Sequence, residues 1–168
     1  MTLFLLLLHG LAGVALLGAL THQLVGALRH ARPVQVAVAA AGSASAASGG
    51  AGFLRRYASV RPHAFTIATV LLFLLCVVPG GTIYPSYRLD VRVPFEEMGL
   101  WWAVGLFEVK ELWGGVGLGL LPLYAWLWHS PQAVDAVRDR RIVTGLLAGI
   151  VWFDFIAGHV LNNLRGLA

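Results

Sequence analysis

Three ionisable residues stand within a long apolar run, in the stretch GLFEVKELWGG, and a fourth lies in a later apolar run. An Asp, Lys or Arg at the centre of a spanning helix costs about 2.5–3.5 kcal/mol, so such residues normally face other helices and pair there. Ionisable groups in that setting relay protons or set the charge of a buried site. We predict these roles, as catalytic candidates, for Glu108, Lys110, Glu111 and Asp154.

The predicted depths of these residues match across two helices. A helix rises about 1.5 Å per residue, which puts Glu108 to Glu111 roughly 15–20 Å and Asp154 roughly 15 Å from one membrane surface. Glu108 and Glu111 share a face because they are three residues apart. Lys110 projects elsewhere and needs another partner. We therefore predict an intramembrane ion pair between Lys110 and Asp154, which either serves a functional site or holds the two helices together.

Two histidines, His9 and His159, also lie at one predicted depth, near matching ends of the first and last apolar segments. Cofactor sites in helix bundles are built from side chains on facing helices. We predict His9 and His159 as the axial ligands of a b-type heme. The same pair, together with Glu108 and Glu111, is an alternative ligand set for a non-heme metal ion such as iron, manganese or zinc.

The first apolar segment, LLLLHGLAGVALLGALTHQ, resembles the helices of small b-type cytochromes, because it carries histidine within glycine-rich apolar sequence. The resemblance covers one helix and assigns no residue roles. Near the opposite ends of the first three segments stand His22, His63 and His129. They are candidates for a second cofactor-binding site, with ordinary interfacial histidines as the alternative.

The composition indicates an integral membrane protein. Of the 168 residues, 58% are hydrophobic and only 12% are charged, and the mean hydropathy is +0.77. A soluble domain has about 25% charged residues. The net charge of +4 does not indicate a nucleic-acid partner, because the basic residues cluster in connecting segments. Cys76 is the single cysteine, which excludes an internal disulfide and a multi-cysteine metal site.

Four apolar segments are long enough to span, since about 20 apolar residues cross a bilayer as a helix. We predict helices at approximately residues 2–28, 64–83, 98–128 and 142–164. The second is interrupted late by the PGG motif at Pro79. The expected fold class is all-α, an integral membrane four-helix bundle that forms a single transmembrane domain.

The basic residues predict the orientation. The first connection contains an Ala/Gly/Ser-rich stretch, at residues 33–52, which is typical of a flexible linker. Arginines flank it and also cluster in the third connection, at Arg29, Arg32, Arg55, Arg56, Arg61, Arg138, Arg140 and Arg141. Positive charge favours the cytoplasmic side. We therefore expect a multi-pass protein of the cell membrane with both termini outside the cytoplasm.

The second connection, residues 84–97, then faces outward. Its YRLDVRV stretch alternates between apolar and polar residues, which predicts a short extended segment. As a hypothesis, this connection either caps the polar site or docks a partner.

Motifs for several other chemistries are missing from the sequence. It has no phosphate-binding glycine loop and no zinc-peptidase helix motif. It also has no CxxCH motif, so any heme is bound non-covalently. The leading expectation is redox-cofactor binding for electron transfer, with a quinone or a larger membrane redox complex as partner. The alternatives are a non-catalytic assembly or accessory subunit and a proton- or ion-coupled transport subunit. Whether the chain is an enzyme stays open.

Overall fold

The computed structural model describes residues 2–29, 62–130 and 135–167. Within these ranges the secondary structure is helical and no strand occurs, which confirms the all-α part of the prediction. The long helices are α1 (Thr2–Arg29), α2 (Thr66–Tyr87), α4 (Trp101–His129) and α5 (Val137–Leu167). The linker predicted at residues 33–52 lies outside the described residues.

Three helical segments are long and apolar enough to cross a membrane, which is consistent with a multi-pass membrane protein. They cover Leu3–Leu28, His63–Glu97 and Val137–Leu164. The helix α4, which contains Glu108, Lys110 and Glu111, is not among them.

The helix α2 continues beyond the length predicted from the sequence. It passes through Pro79 without ending, and a single-turn π-helix (Arg88–Arg92) and a short helix α3 (Val93–Glu97) extend it. The segment from His63 to Glu97 has 35 residues, and at about 1.5 Å per residue it is about 50 Å long. The hydrocarbon core of a bilayer is only about 30 Å thick, so a helical segment of this length is longer than a perpendicular crossing requires.

The prediction of an extended segment at YRLDVRV is wrong, because these residues are helical. The backbone N–H of Arg88 donates to the carbonyl of Tyr84, which carries the helix across the end of α2. Arg92 forms an ion pair with Glu96, with Nε 2.7 Å from Oε1, at the i,i+4 spacing that stabilises helices. The alternation of apolar and polar residues in YRLDVRV is too short to distinguish a strand from a helix that such interactions stabilise.

A sharp turn at Gly99 joins α3 to α4. The φ angle of Gly99 is +69°, in the left-handed region that glycine adopts without steric cost. The backbone N–H of Leu100 donates to the carbonyl of Phe95 at 2.8 Å, and that of Gly99 donates to Glu96 at 3.0 Å. These bonds end α3 and reverse the chain direction, so that α4 runs antiparallel to α2.

Each long helix packs antiparallel to two neighbours, in the cyclic order α1, α2, α4, α5. Contacts between α1 and α2 run from His9–Cys76 to Gln23–Thr66. Those between α4 and α5 include Trp128–Thr144. We call the two ends of this arrangement the His9 end and the Gln23 end. The His9 end holds the starts of α1 and α4 and the ends of α2 and α5.

The interior between the helices is largely apolar. Its main cluster of buried residues includes Leu16, Leu20, Phe73, Leu121, Leu147 and Val151. On α2 the interior stripe contains Thr66, Thr69, Phe73 and Cys76. These residues alternate three and four apart, the spacing that keeps side chains on one helix face. Polar groups on such a stripe face other helices rather than lipid.

Candidate functional site

Two charged side chains on neighbouring helices lie over glycines of the opposite helix at the His9 end. A Cβ atom at Gly158 of α5 would lie 3.5 Å from Cε of Lys110, and one at Gly114 of α4 would lie 3.6 Å from Oδ2 of Asp154. Lys110 and Gly114 are four residues apart on α4, as are Asp154 and Gly158 on α5. The small residues let both side chains enter the contact between the helices.

Lys110 is mostly buried, with 18% of its side chain exposed, and its Nζ lies 3.3 Å from Oε1 of Glu111. Within the described ranges this is the salt bridge that Lys110 makes. Lys110 also interacts electrostatically with Asp154, but no direct ion pair joins them. The structure thus brings the two predicted partners together without the direct bond that was expected. We call Lys110, Glu111 and Asp154 the charged site.

One oxygen of Asp154 has no partner. Oδ1 is buried and accepts no hydrogen bond from any residue that the structure describes. An unpaired buried polar group costs free energy that a purely structural contact would avoid. The carboxyl group therefore has a free acceptor position for a proton or a water molecule.

His9 lies on the opposite side of the interior, against α2. Its Nδ1 is 2.9 Å from the carbonyl oxygen of Cys76. Because a carbonyl only accepts, Nδ1 is the donor, which in the neutral imidazole leaves Nε2 with its lone pair. A Cβ atom at Gly80 would lie 3.4 Å from Cε1 of His9, so Gly80 leaves room for the ring. The contact of Phe73 with Gly117 sets the antiparallel register of α2 and α4 and puts Cys76 near the level of Gly114, so His9 and the charged site lie at one end of the interior.

The other predicted ligands at the His9 end are exposed. His159 lies on an exposed side of α5, together with Ile156. Glu108 is 52% exposed and pairs with Arg92, with Oε1 2.8 Å from Nη1. Glu111 is 45% exposed. Across residues 2–29, 62–130 and 135–167, no three His, Cys, Asp or Glu side chains form a group that could hold a metal ion. The predicted metal set His9, Glu108, Glu111 and His159 is thus not assembled.

The three histidines predicted as ligands at the Gln23 end have different surroundings. His22 packs on Phe65, with ring centroids 4.7 Å apart. His63 and His129 are both exposed. Their exposure fits the alternative of ordinary histidines at a membrane interface.

A second polar cluster, which the sequence analysis missed, lies at the Gln23 end. Tyr124 donates its hydroxyl hydrogen to Oε1 of Gln23, and Nε2 of Gln23 donates to Oγ1 of Thr66 at 3.3 Å. These three residues and Thr69 are fully buried. We call Gln23, Thr66, Thr69 and Tyr124 the uncharged cluster. The sequence signal that could have revealed this cluster is the spacing of Gln23 with Leu16 and Leu20, which puts all three on one face of α1. This signal is weak because the other faces of α1 are also apolar.

An aromatic and ionic layer covers the interior at the His9 end. The rings of Tyr87 and Phe107 stack with centroids 3.6 Å apart. Arg92 joins Glu96 of α3 to Glu108 of α4. These contacts bind the extension of α2 to the first turns of α4, beside the charged site.

No known protein family, curated protein or solved structure matches this chain. The roles of these residues are therefore inferred from their geometry alone.

Proposed function

We propose that this chain is a four-helix integral membrane bundle whose charged site moves protons, as a subunit of a proton-coupled membrane complex. The observation that supports this most strongly is the buried Oδ1 of Asp154, which has no hydrogen-bond partner among the described residues and lies beside the mostly buried Lys110. Ionisable residues within membrane helices are expensive, and proton relays are one of the few roles that retain them.

A purely structural role for these charges fits the geometry less well. A structural ion pair stabilises a protein only if hydrogen bonds satisfy its remaining lone pairs. In the part of the chain that the structure describes, Asp154 has neither a direct ion pair nor a hydrogen bond at Oδ1. The arrangement instead leaves an acceptor free, as a proton-binding group requires.

The three carboxyl and amino groups form an ordered path from the surface inward. Glu111 is exposed and contacts Nζ of Lys110, and Lys110 lies next to Asp154. In the proposed step, an N–H proton of the Lys110 ammonium group passes to the Asp154 carboxylate, which leaves both groups neutral. Glu111, after taking up a proton from the aqueous phase, or a hydronium ion then reprotonates Lys110. Asp154 releases its proton to water on the other side, which restores the starting charges.

Replacing Asp154 with asparagine tests this proposal directly. We expect Asp154→Asn to lower proton flux by roughly tenfold or more, because the amide keeps the size but cannot take up a proton at neutral pH. The measurement is potential-driven proton uptake into liposomes that contain the purified protein and an enclosed pH-sensitive dye. Asp139→Asn is the matched control, since Asp139 is exposed at the other end of the same helix. Equal flux in both variants would contradict the proposal.

The second candidate function is the binding of a b-type heme, or of a non-heme metal ion, for electron transfer. It is favoured by the bond from Nδ1 of His9 to the Cys76 carbonyl, because such a bond fixes the ring and leaves Nε2 free as a ligand. Contacts of Leu24 with Gly145 and of Arg141 with the Ala27 carbonyl set the antiparallel register of α1 and α5. Continued along both helices, this register puts residues 9 and 159 at one level.

The ring of His9 lies against α2 and His159 is exposed on α5, so joint ligation would require at least one of the two side chains to turn toward the other. The test is an absorption spectrum of the purified protein, oxidised and reduced, with metal analysis of the same sample. The heme proposal predicts a Soret band that shifts on reduction and that His9→Ala and His159→Ala abolish. The exposed His63 supplies the control, His63→Ala, which is expected to keep the band. A protein without chromophore or metal would rule out this candidate.

In either case we propose the lipid bilayer as the surroundings and a larger membrane complex as the partner, with a quinone as a further partner for electron transfer. The orientation with both termini outside the cytoplasm remains a proposal from the arginine pattern.

A further inference from the structure

Two polar regions lie inside the same set of helices, and only apolar side chains separate them among the described residues. At the His9 end stand Asp154 and Lys110, and at the Gln23 end stands the uncharged cluster. On α2, Thr69 of the uncharged cluster and Cys76 beside the charged site are seven residues apart, or about 10 Å along the axis.

Phe73 occupies the middle of that interval. It lies on the interior stripe of α2 between Thr69 and Cys76, and only 3% of the residue is exposed. Its ring is pressed against Gly117 of α4, where a Cβ atom would lie 2.6 Å from Cζ of Phe73. The same position would lie 3.4 Å from Cγ2 of Ile150 on α5. The phenyl ring therefore fills the space between three helices.

The side chains of the cluster around the ring are mainly aliphatic, and the hydroxyl of its member Tyr124 is bonded to Gln23. Phe73 belongs to the apolar cluster that also contains Leu16, Leu20, Leu121 and Val151. Apolar interior sites do not hold water, because a buried water molecule needs two or more polar partners. A proton needs hydrogen-bonded groups or water molecules to travel, so this layer slows its passage, and flux through the unmodified protein requires water to enter the layer transiently.

We infer that Phe73, seated on Gly117, is the barrier of a proton and water route that joins the charged site to the uncharged cluster. The inference rests on the proposed function for its direction and extends it to the second polar cluster. Tyr124, Gln23 and Thr66 form a chain of hydroxyl and amide groups below the ring. They supply the polar partners that water molecules would need on the Gln23 side.

Serine at position 73 tests the barrier. Phe73→Ser removes the ring and adds a hydroxyl group, so water can enter the space, whereas Phe73→Leu keeps the site apolar and dry. In liposomes with an enclosed pH-sensitive dye, we expect Phe73→Ser to speed passive proton entry by roughly tenfold or more. We expect Phe73→Leu to stay at the rate of the unmodified protein. Leu74→Ser is the matched control, since the neighbouring Leu74 is 40% exposed and outside the interior stripe.

A second variant opens the same layer from α4. Leu121 is buried, 5% exposed, in the apolar cluster with Phe73, and Leu121→Ser is a smaller change in volume. Circular dichroism and gel filtration identify which variants fold. The inference is overturned if the folded serine variants at positions 73 and 121 leak no faster than Leu74→Ser.

The barrier and the proposed proton relay can fail separately. Phe73→Ser is also combined with Asp154→Asn. A fast leak that Asp154→Asn suppresses supports both the barrier and the relay. A fast leak that Asp154→Asn leaves unchanged supports the barrier and contradicts the relay at Asp154. A slow leak in Phe73→Ser, with flux in the unmodified chain that depends on Asp154, contradicts the barrier alone.

Discussion

Replacing Lys110 with methionine is expected to lower the free energy of unfolding by about 1–3 kcal/mol, the usual effect of leaving a buried polar group without its partner. Methionine keeps the long, flexible shape of the lysine stem, so the packing over Gly158 is largely retained. The loss comes from Asp154, whose carboxylate would stay between α4 and α5 without a cation beside it. Titration of the purified protein with SDS in mixed micelles, followed by circular dichroism, measures the change.

The double variant Lys110→Met/Asp154→Asn separates charge from packing. With both charges removed, we expect stability to return to within about 1 kcal/mol of the unmodified protein, because uncharged isosteres of buried pairs are often neutral. Arg138→Met, at an exposed position of α5, is the control and is expected to change stability by no more than about 0.5 kcal/mol. If the double variant were as unstable as the sum of the two single variants, the two charges would not be coupled.

Adding one methyl group at Gly117 is expected to destabilise the protein, although alanine is the better helix former. The added Cβ would lie 2.6 Å from Cζ of Phe73, and the buried ring cannot move aside freely. Overpacking of this kind costs about 1–3 kcal/mol, against a gain of up to about 1 kcal/mol from replacing glycine within a helix. The same SDS titration gives the net effect.

Gly119 supplies the matched comparison on the same helix. A Cβ atom there would meet no atom within 4 Å, so Gly119→Ala is expected to be neutral or stabilising by up to about 1 kcal/mol. Combining Gly117→Ala with Phe73→Leu shortens the opposing side chain and should recover part of the lost stability. A Gly117→Ala protein as stable as Gly119→Ala would show that the ring does not rest against α4.

The helical rise per residue predicted well which residues lie at the same level along the helix axes. It did not predict the direction in which their side chains point. It put Lys110 and Asp154 at one level, and their side chains approach each other in the structure. It also put His9 and His159 at one level, but the rotation of α5 about its axis leaves His159 exposed. Rotation depends on which face packs against which neighbour, and an apolar pattern on all sides of a membrane helix carries little information about that.

Two other features could not be predicted from the sequence, for different reasons. The uncharged cluster is assembled from three helices, and hydrogen bonds between Tyr124, Gln23 and Thr66 become visible only once those helices are packed. The helical extension after Tyr87 was concealed because a few alternating residues fit a strand as well as a helix. The ion pair of Arg92 with Glu96 was the local signal that favoured the helix.

The polar character of α4 has a consequence for the order in which the protein enters its membrane. The helices emerge from the ribosome in the order of the sequence. Among the four long helices described, α4 is not apolar enough to cross a membrane by itself. Asp154, which lies beside Lys110, and Gly158, over which Lys110 packs, belong to α5 and are made after α4. We therefore expect α4 to be held near the insertion machinery until α5 arrives, and the two helices to enter the lipid as one antiparallel pair. A nascent chain that stops before Val137 would leave α4 exposed to extraction and degradation.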